Sequence, residues 1–392
     1  MNICMLSSRF YPIIGGAEQQ AQRLARHLRD RNVNAFVVTC RYPGLPPDES
    51  IDGIPVHRIK TVYRRMEPKG KIASLHMMTG LFRYLVRNRR RIDIIHVHGA
   101  GKMTMTANVA KLFIDKPVVV KVATASTAGT GEGDLHGAET ALLGNARISL
   151  LRMSDTFIAT TEQIRRELIA RGVPEERITL IPNGVDTARF TPTTPEERKI
   201  LREKLGITGG TAALFVGRLI RRKGVDILLR AWKEVTRDFP RAMLLVVGSG
   251  EEEGNLRQLA QTLRLGPNVS FSGAVDPTEI ENIYRVADLF ILPSHGEGMP
   301  NVLLEAMSHG IPAVASAIGG VVDLITDGDN GLLVPPGGYE ALAAAIKRLL
   351  GGGGRKLGEA GRKTVVERFS LDAVTDRYIE LYGALTAARS AR

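Results

Sequence analysis

Two glutamates, Glu297 and Glu305, stand with seven residues between them in Ser294-His-Gly-Glu-Gly-Met-Pro-Asn-Val-Leu-Leu-Glu-Ala-Met-Ser-His-Gly-Ile-Pro312. The apolar run Ala287-Asp-Leu-Phe-Ile-Leu-Pro293 before them reads as a strand. Met299 to Ser308 reads as a helix, with Leu303, Leu304 and Met307 on one apolar face and Pro300 in its first turn. Gly296 and Gly298 let the backbone approach a ligand closely. Glu297 then sits at the helix mouth, and Glu305 about two turns in, on a face that can turn to the same crevice. The N–H groups of Met299, Asn301 and Val302 favour a phosphate there. The plainer reading of two such glutamates is a solvated helix face; the glycines, the proline and the apolar strand weigh against it.

A second strand–loop–helix unit carries cations. Ala212-Ala-Leu-Phe-Val216 leads into Gly217-Arg-Leu-Ile-Arg-Arg-Lys-Gly224 and then a helix from Val225 to Asp238. Arg218 offers a bidentate fork and Lys223 a mobile point charge, so the pair can clamp a diphosphate at a helix start. A basic loop alone is surface decoration; the setting makes phosphate binding the better reading. Near the start of the chain, the strand Asn2–Ser8 reaches Gly15-Gly16 and a helix from Glu18 to Arg31, again an arrangement in which helix N-termini meet phosphates. The strand Ile92–His98 aims His96 and His98 to one side. His98, at its carboxyl end, is the better ligand candidate; core or loop histidines are the alternative.

The elements that position these residues alternate as strand and helix along the whole chain. That pattern implies two doubly wound α/β domains. The first spans 1–190, a linker rich in Pro, Gly and charge spans 191–210, and the second domain spans 211–369, with residues 370–392 closing the chain. Arg41 to Ser50 reads as loop, as does the small-residue run Thr124–Asp134.

The chain has 392 residues, 44% of them hydrophobic, and a net charge of +12. Residues 1–190 hold 28 Lys and Arg against 17 Asp and Glu, whereas 191–392 hold 25 against 24. The basic excess therefore belongs to the first half, notably Arg58–Lys71 and Arg87–Arg91. An anionic membrane surface, an anionic substrate and nucleic acid compete as its partner. With aromatics at 5% and no nucleic-acid motif, nucleic acid ranks last and is not expected. No apolar run is long enough to span a membrane, and the first residues read as a strand rather than a signal peptide. Cys4 and Cys40 read as buried free thiols, which fits a reducing compartment. No Cys/His cluster has metal-site spacing and no Asp-x-Asp pair stands in a plausible loop, so no metal and no cofactor are expected.

The Glu-x7-Glu stretch, the Gly-Arg-Leu-x-x-x-Lys-Gly loop and Pro182-Asn-Gly-Val-Asp186 resemble the retaining glycosyltransferases of family 4, which have a GT-B fold. The resemblance is strong over 212–336 and weaker over 1–190. It implies two Rossmann-like domains facing across a cleft, with the last helix returning to the first domain. It implies a transferase that moves a sugar from a UDP- or GDP-sugar to a glycan or lipid-linked acceptor, retaining the anomeric configuration without a metal. Glu297 would contact the donor sugar as the catalytic residue, and Glu305 would hold the ribose hydroxyls. Arg218 and Lys223 would hold the diphosphate, Gly15 and Gly16 would lie near it, and Gly273 and Val275 would neighbour the base. His98 stays an acceptor-side candidate. The chain departs from the family at Ala123 and Thr124, where many members carry a histidine near the reacting sugar. A hydrolase or epimerase of the nucleotide sugar, and a nucleotide-sugar-binding protein without turnover, are the alternatives. A cytoplasmic place is expected, with the inner face of the cell membrane as a peripheral site.

Overall fold

The computed structural model describes residues 1–12, 15–61, 71–123, 144–207, 210–276 and 278–390. The Thr124–Asp134 loop and Arg64, Arg65 and Lys69 of the basic stretch lie outside the described residues. The chain divides into two compact units, Met1–Asn183 with Leu371–Arg392, and Gly184–Ser370.

In the first unit, β1 (Asn2–Ser7), α1 (Gly16–Asp30), β2 (Asn34–Arg41), β3 (Asp48–Ile51), β4 (Ile54–Lys60), α2 (Lys71–Arg87), β5 (Ile94–His98), α3 (Lys102–Ile114), β6 (Val118–Val122), α4 (Gly144–Arg152), β7 (Thr156–Ala159), α5 (Glu162–Ala170) and β8 (Ile178–Leu180) follow in order. Their strands form one sheet, β3-β4-β2-β1-β5-β6-β7-β8, parallel except for β3. Strands such as Val118–Val122 are apolar runs buried on both faces, as a parallel sheet under helices requires. The strand order reverses between β1 and β5, the place where an open α/β sheet makes its crevice.

Two elements here differ from expectation. Asp48–Ile51, which overlaps the end of the Arg41–Ser50 run read as loop, pairs antiparallel with β4 as an edge strand. The helix α3 was not expected; its residues Met103 to Asn108 are all buried, so no polar face marks it.

In the second unit, α6 (Pro195–Lys204), β9 (Ala212–Val216), α7 (Val225–Asp238), β10 (Met243–Val247), α8 (Glu253–Thr262), β11 (Val269–Gly273), α9 (Ile280–Val286), β12 (Leu289–Leu292), α10 (Asn301–Ser308), β13 (Ala313–Ser316), β14 (Leu332–Val334), α11 (Tyr339–Arg348) and α12 (Gly354–Arg368) build a parallel sheet of order β11-β10-β9-β12-β13-β14. Its reversal falls between β9 and β12. The amphipathic α7 buries Val225, Leu228, Leu229, Trp232 and Val235, and the Trp232 indole donates to Asn268 O at 3.0 Å.

Residues 184–190 and the 191–210 segment, read from sequence as the end of the first domain and a linker, fall in the second unit. Phe190 is fully buried there, and α6 starts with a Thr194–Glu197 capping box. Arg198 and Arg202 on α6 both pair with Asp288 ahead of β12. The last helix, α13 (Leu371–Ser390), belongs to the first unit, where Arg31 binds its Asp372 and Asp376 at 2.8 and 2.7 Å.

Candidate active site

The second sheet explains why its two sequence motifs meet. β9 and β12 are hydrogen-bonded neighbours at the reversal, so the loops leaving their carboxyl ends lie side by side. The β9 loop carries Arg218 and Lys223; the β12 loop carries Glu297. His295 N donates to Arg222 O at 2.8 Å, and the Arg222 guanidinium reaches Gly296 O at 3.3 Å, tying one loop to the other. Gly224 sits where the loops press closest. Its φ is +63°, and a Cβ there would stand 2.2 Å from Pro293 O.

Lys223 Nζ donates to Glu297 Oε1 at 2.6 Å, with the two side chains 13% and 8% exposed. Ser294 Oγ donates to the same oxygen at 2.7 Å. The carboxylate is thus fixed by a cation and a hydroxyl, both acting on Oε1. Arg218 is exposed on the same loop as Lys223. Such a loop can hold an anion beside a carboxylate that grips hydroxyl groups.

Glu305, one face of α10 further in, is 6% exposed. The Tyr284 hydroxyl on α9 donates toward its Oε2 at 3.1 Å and lies 3.3 Å from Val302 O. The Tyr284 ring stacks on His309 with centroids 5.6 Å apart, and His309 Nδ1 donates to Thr191 O at 2.6 Å. Burial pushes the His309 imidazole down to about 4, against the opposing pull of the Thr191 carbonyl.

The helix expected from Met299 begins at Asn301, with Pro300 as its cap residue and no side-chain cap. Met299 is buried in the core at 7% exposure, so only its backbone can face a ligand; Asn301 and Val302 are half-buried. Gly273 ends β11 with φ +71°, its carbonyl accepting from Gly248 N at 2.8 Å, and Val275 packs against the core nearby. Gly15 caps α1, Gly16 begins it and His98 ends β5, all three in the first unit. Sequence reasoning did not single out Ser294 and Tyr284 for a role. Ser294 stood within the motif; Tyr284 lies 21 residues before Glu305 and no local pattern links them.

Residues 197–364 match the family model described as glycosyl transferases group 1, and residues 15–184 match the glycosyl transferase 4-like domain. The D-inositol 3-phosphate glycosyltransferase of Acidothermus cellulolyticus is 30% identical over 96% of this chain and 87% of its own. The chain belongs to the GT-B glycosyltransferases of the family 4 type. This GT-B glycosyltransferase is also 32% identical, over 67% of its length and 72% of the relative, to the GDP-mannose-dependent monoacylated alpha-(1-6)-phosphatidylinositol monomannoside mannosyltransferase of Corynebacterium glutamicum. The fold of Anabaena HepE, solved in complex with UDP, superposes with a TM-score of 0.80 at 22% identity, over 98% of this chain and all of that one. Among the described residues of the glycosyltransferase, no group of three or more His, Cys, Asp or Glu is placed to hold a metal ion. No helix among them is long and apolar enough to cross a membrane.

Proposed function

We propose that this glycosyltransferase moves a sugar from a nucleotide-diphosphate sugar of the UDP or GDP class to a polyol, glycan or lipid-linked acceptor, with the anomeric configuration retained and no metal ion. The observation that carries the reading is the Lys223–Glu297–Ser294 contact at the strand reversal, with Arg218 exposed beside it.

In this reading Glu297 holds the donor sugar's hydroxyls and stabilises the positive charge that grows at the anomeric carbon. The bond from that carbon to the phosphate oxygen breaks. Arg218, Lys223 and the start of α10 take up the charge released on the diphosphate, in place of a metal. The bond to the acceptor oxygen forms on the same face, and the acceptor's proton passes to the departing phosphate. Glu305, set by Tyr284, holds the ribose hydroxyls, with Gly273 and Val275 beside the base.

The relatives are named for D-inositol 3-phosphate and for a monoacylated phosphatidylinositol monomannoside, which supports a phosphate-bearing polyol or its lipid as the acceptor here. A peripheral membrane place is supported by the basic first half, by the exposed Arg89–Arg91 turn that follows α2, and by Leu112 and Phe113 of α3 at 68% and 66% exposure.

Thermal unfolding with a panel of nucleoside diphosphates and nucleotide sugars, chelator present throughout, tests the reading. A ligand at a hundred times its dissociation constant adds about 2.7 kcal/mol. A rise in Tm with one base is expected. No rise with any member, with or without chelator, would overturn it.

A further inference from the structure

Lys121 is 3% exposed on an inner strand of the first unit's sheet. Among the described residues no carboxylate lies within ion-pair distance of it. It is the next-to-last residue of β6, level with His98 on β5, which is itself level with Ser7 on β1. That places it one strand from the β1–β5 reversal, at the carboxyl edge. Alternation along the strands sends Lys121, His96 and His98 to the face covered by α13. The His96 and His98 rings lie 4.4 Å apart, and Lys121 Nζ is 5.7 Å from the Tyr378 ring centroid.

The hydrogen-bond inventory of this cluster is lopsided. The Tyr382 hydroxyl and His96 Nδ1 are 2.7 Å apart. Burial raises the phenol's pKa, so the hydroxyl stays neutral and pairs with Nδ1 as donor or acceptor according to the imidazole tautomer. The other ring nitrogen of His96, Nε2, is buried and has no hydrogen-bond partner among the described residues. The hydroxyls of Tyr378 and Thr375, both fully buried, have none either, nor does His98 Nε2. Lys121 thus lies in a cluster of buried imidazole and hydroxyl groups without partners, and no carboxylate among the described residues pairs with it. The buried cation in this set lacks a counter-charge, which an oxyanion would supply. Burial pushes the Lys121 ammonium down to about 7, the cost of a cation with no counter-charge. On the outer side His98 is half-buried, and beside Gly99 a Cβ would meet nothing within 4 Å.

We propose that Lys121, with His96, His98 and Tyr378, forms an oxyanion subsite in the first unit that takes the phosphate group of the acceptor. The acceptor assignment rests on the proposed transferase reading; the oxyanion site stands on the cluster itself.

The test uses the full chain. Inorganic phosphate is titrated by calorimetry into wild type, Lys121→Met and Tyr378→Phe. Wild type is expected to bind, Lys121→Met to bind at least tenfold more weakly, and Tyr378→Phe several-fold more weakly. Binding of a nucleoside diphosphate, measured on the same samples, is expected to stay unchanged, which separates this proposal from the donor assignment. Soluble inositol phosphate and phosphatidylinositol in mixed micelles are then compared as competitors for the phosphate site, with inositol as control. Competition by either phosphate ester supports the proposal and tells a soluble acceptor from a lipid one. Wild type that binds no phosphate, variants that bind it as wild type does, or inositol that competes equally well would overturn it.

Discussion

Lys223 and Glu297 come from opposite sides of a strand reversal, 74 residues apart, and meet in a 2.6 Å ion pair. The pair is nearly buried, so removing one partner strands the other charge. Lys223→Met is expected to lower stability by about 3 kcal/mol, the low end for a broken buried pair, because Ser294 still donates to Glu297. Adding Glu297→Gln should recover most of that loss. Urea unfolding of the two single variants and the double variant checks it; additive losses would mean that the two side chains do not interact.

Glu297→Ala is expected to reduce sugar transfer on the order of 10²–10³-fold, the size seen when one preorganised electrostatic group is removed from an active site. Affinity for the free nucleoside diphosphate should stay within a few-fold. Steady-state rates paired with nucleotide titration test the assignment, and a parallel loss of nucleotide affinity would move Glu297 from the sugar to the nucleotide.

Tyr284→Phe removes the hydroxyl that steadies Glu305 and leaves the ring on His309. A hydrogen bond to a charged acceptor contributes about 1.5–3 kcal/mol. The KM for the nucleotide sugar should therefore rise by roughly tenfold or more with kcat nearly kept. A change in kcat alone would show that Tyr284 acts on the chemistry and not on nucleotide binding.

The buried His309 imparts a pH dependence. Its folded pKa, pushed down to about 4 by burial, lies below the roughly 6.5 of the unfolded chain. Between these values the unfolded state binds more protons, so stability rises with pH. The contribution is complete above about 6.5 and is lost as the pH falls toward 4, about 3 kcal/mol in all. Unfolding midpoints of wild type and His309→Gln at several pH values between these limits should converge in acid. Parallel curves would count against the assignment.

Gly248→Ala should damage the donor-side loop without touching any proposed ligand-binding side chain. Gly248 has φ +132°, and a Cβ would stand 1.9 Å from Gly217 O, the residue before Arg218. The backbone must move, and with it the loop. Nucleotide titration of the folded variant is expected to show weakened binding; wild-type affinity would show that the loop tolerates the shift.

The local parts of the site were readable because each is a short pattern. An apolar run, a glycine loop and an amphipathic helix surround both Arg218–Lys223 and Glu297. Their adjacency was not, since it depends on the pairing of β9 with β12, Ala213 level with Leu289. Tyr284 escaped for the same reason: its hydroxyl reaches Glu305 through packing between helices. The helix α3 was missed because it is buried around most of its circumference, which removes the polar face that reveals a helix. β3 was missed for the opposite reason; Asp48-Glu-Ser-Ile51 is an exposed edge held by one neighbour.

The helix α13 closes a unit that the chain began nearly four hundred residues earlier. A ribosome adding about 5–20 residues per second needs roughly ten to forty seconds to make residues 184–370. During that interval the nascent first sheet carries His96 and Lys121 without Tyr378 and Tyr382 over them, and the second unit is synthesised entire. Order of synthesis and order of completion are therefore reversed: the half that begins first is finished last.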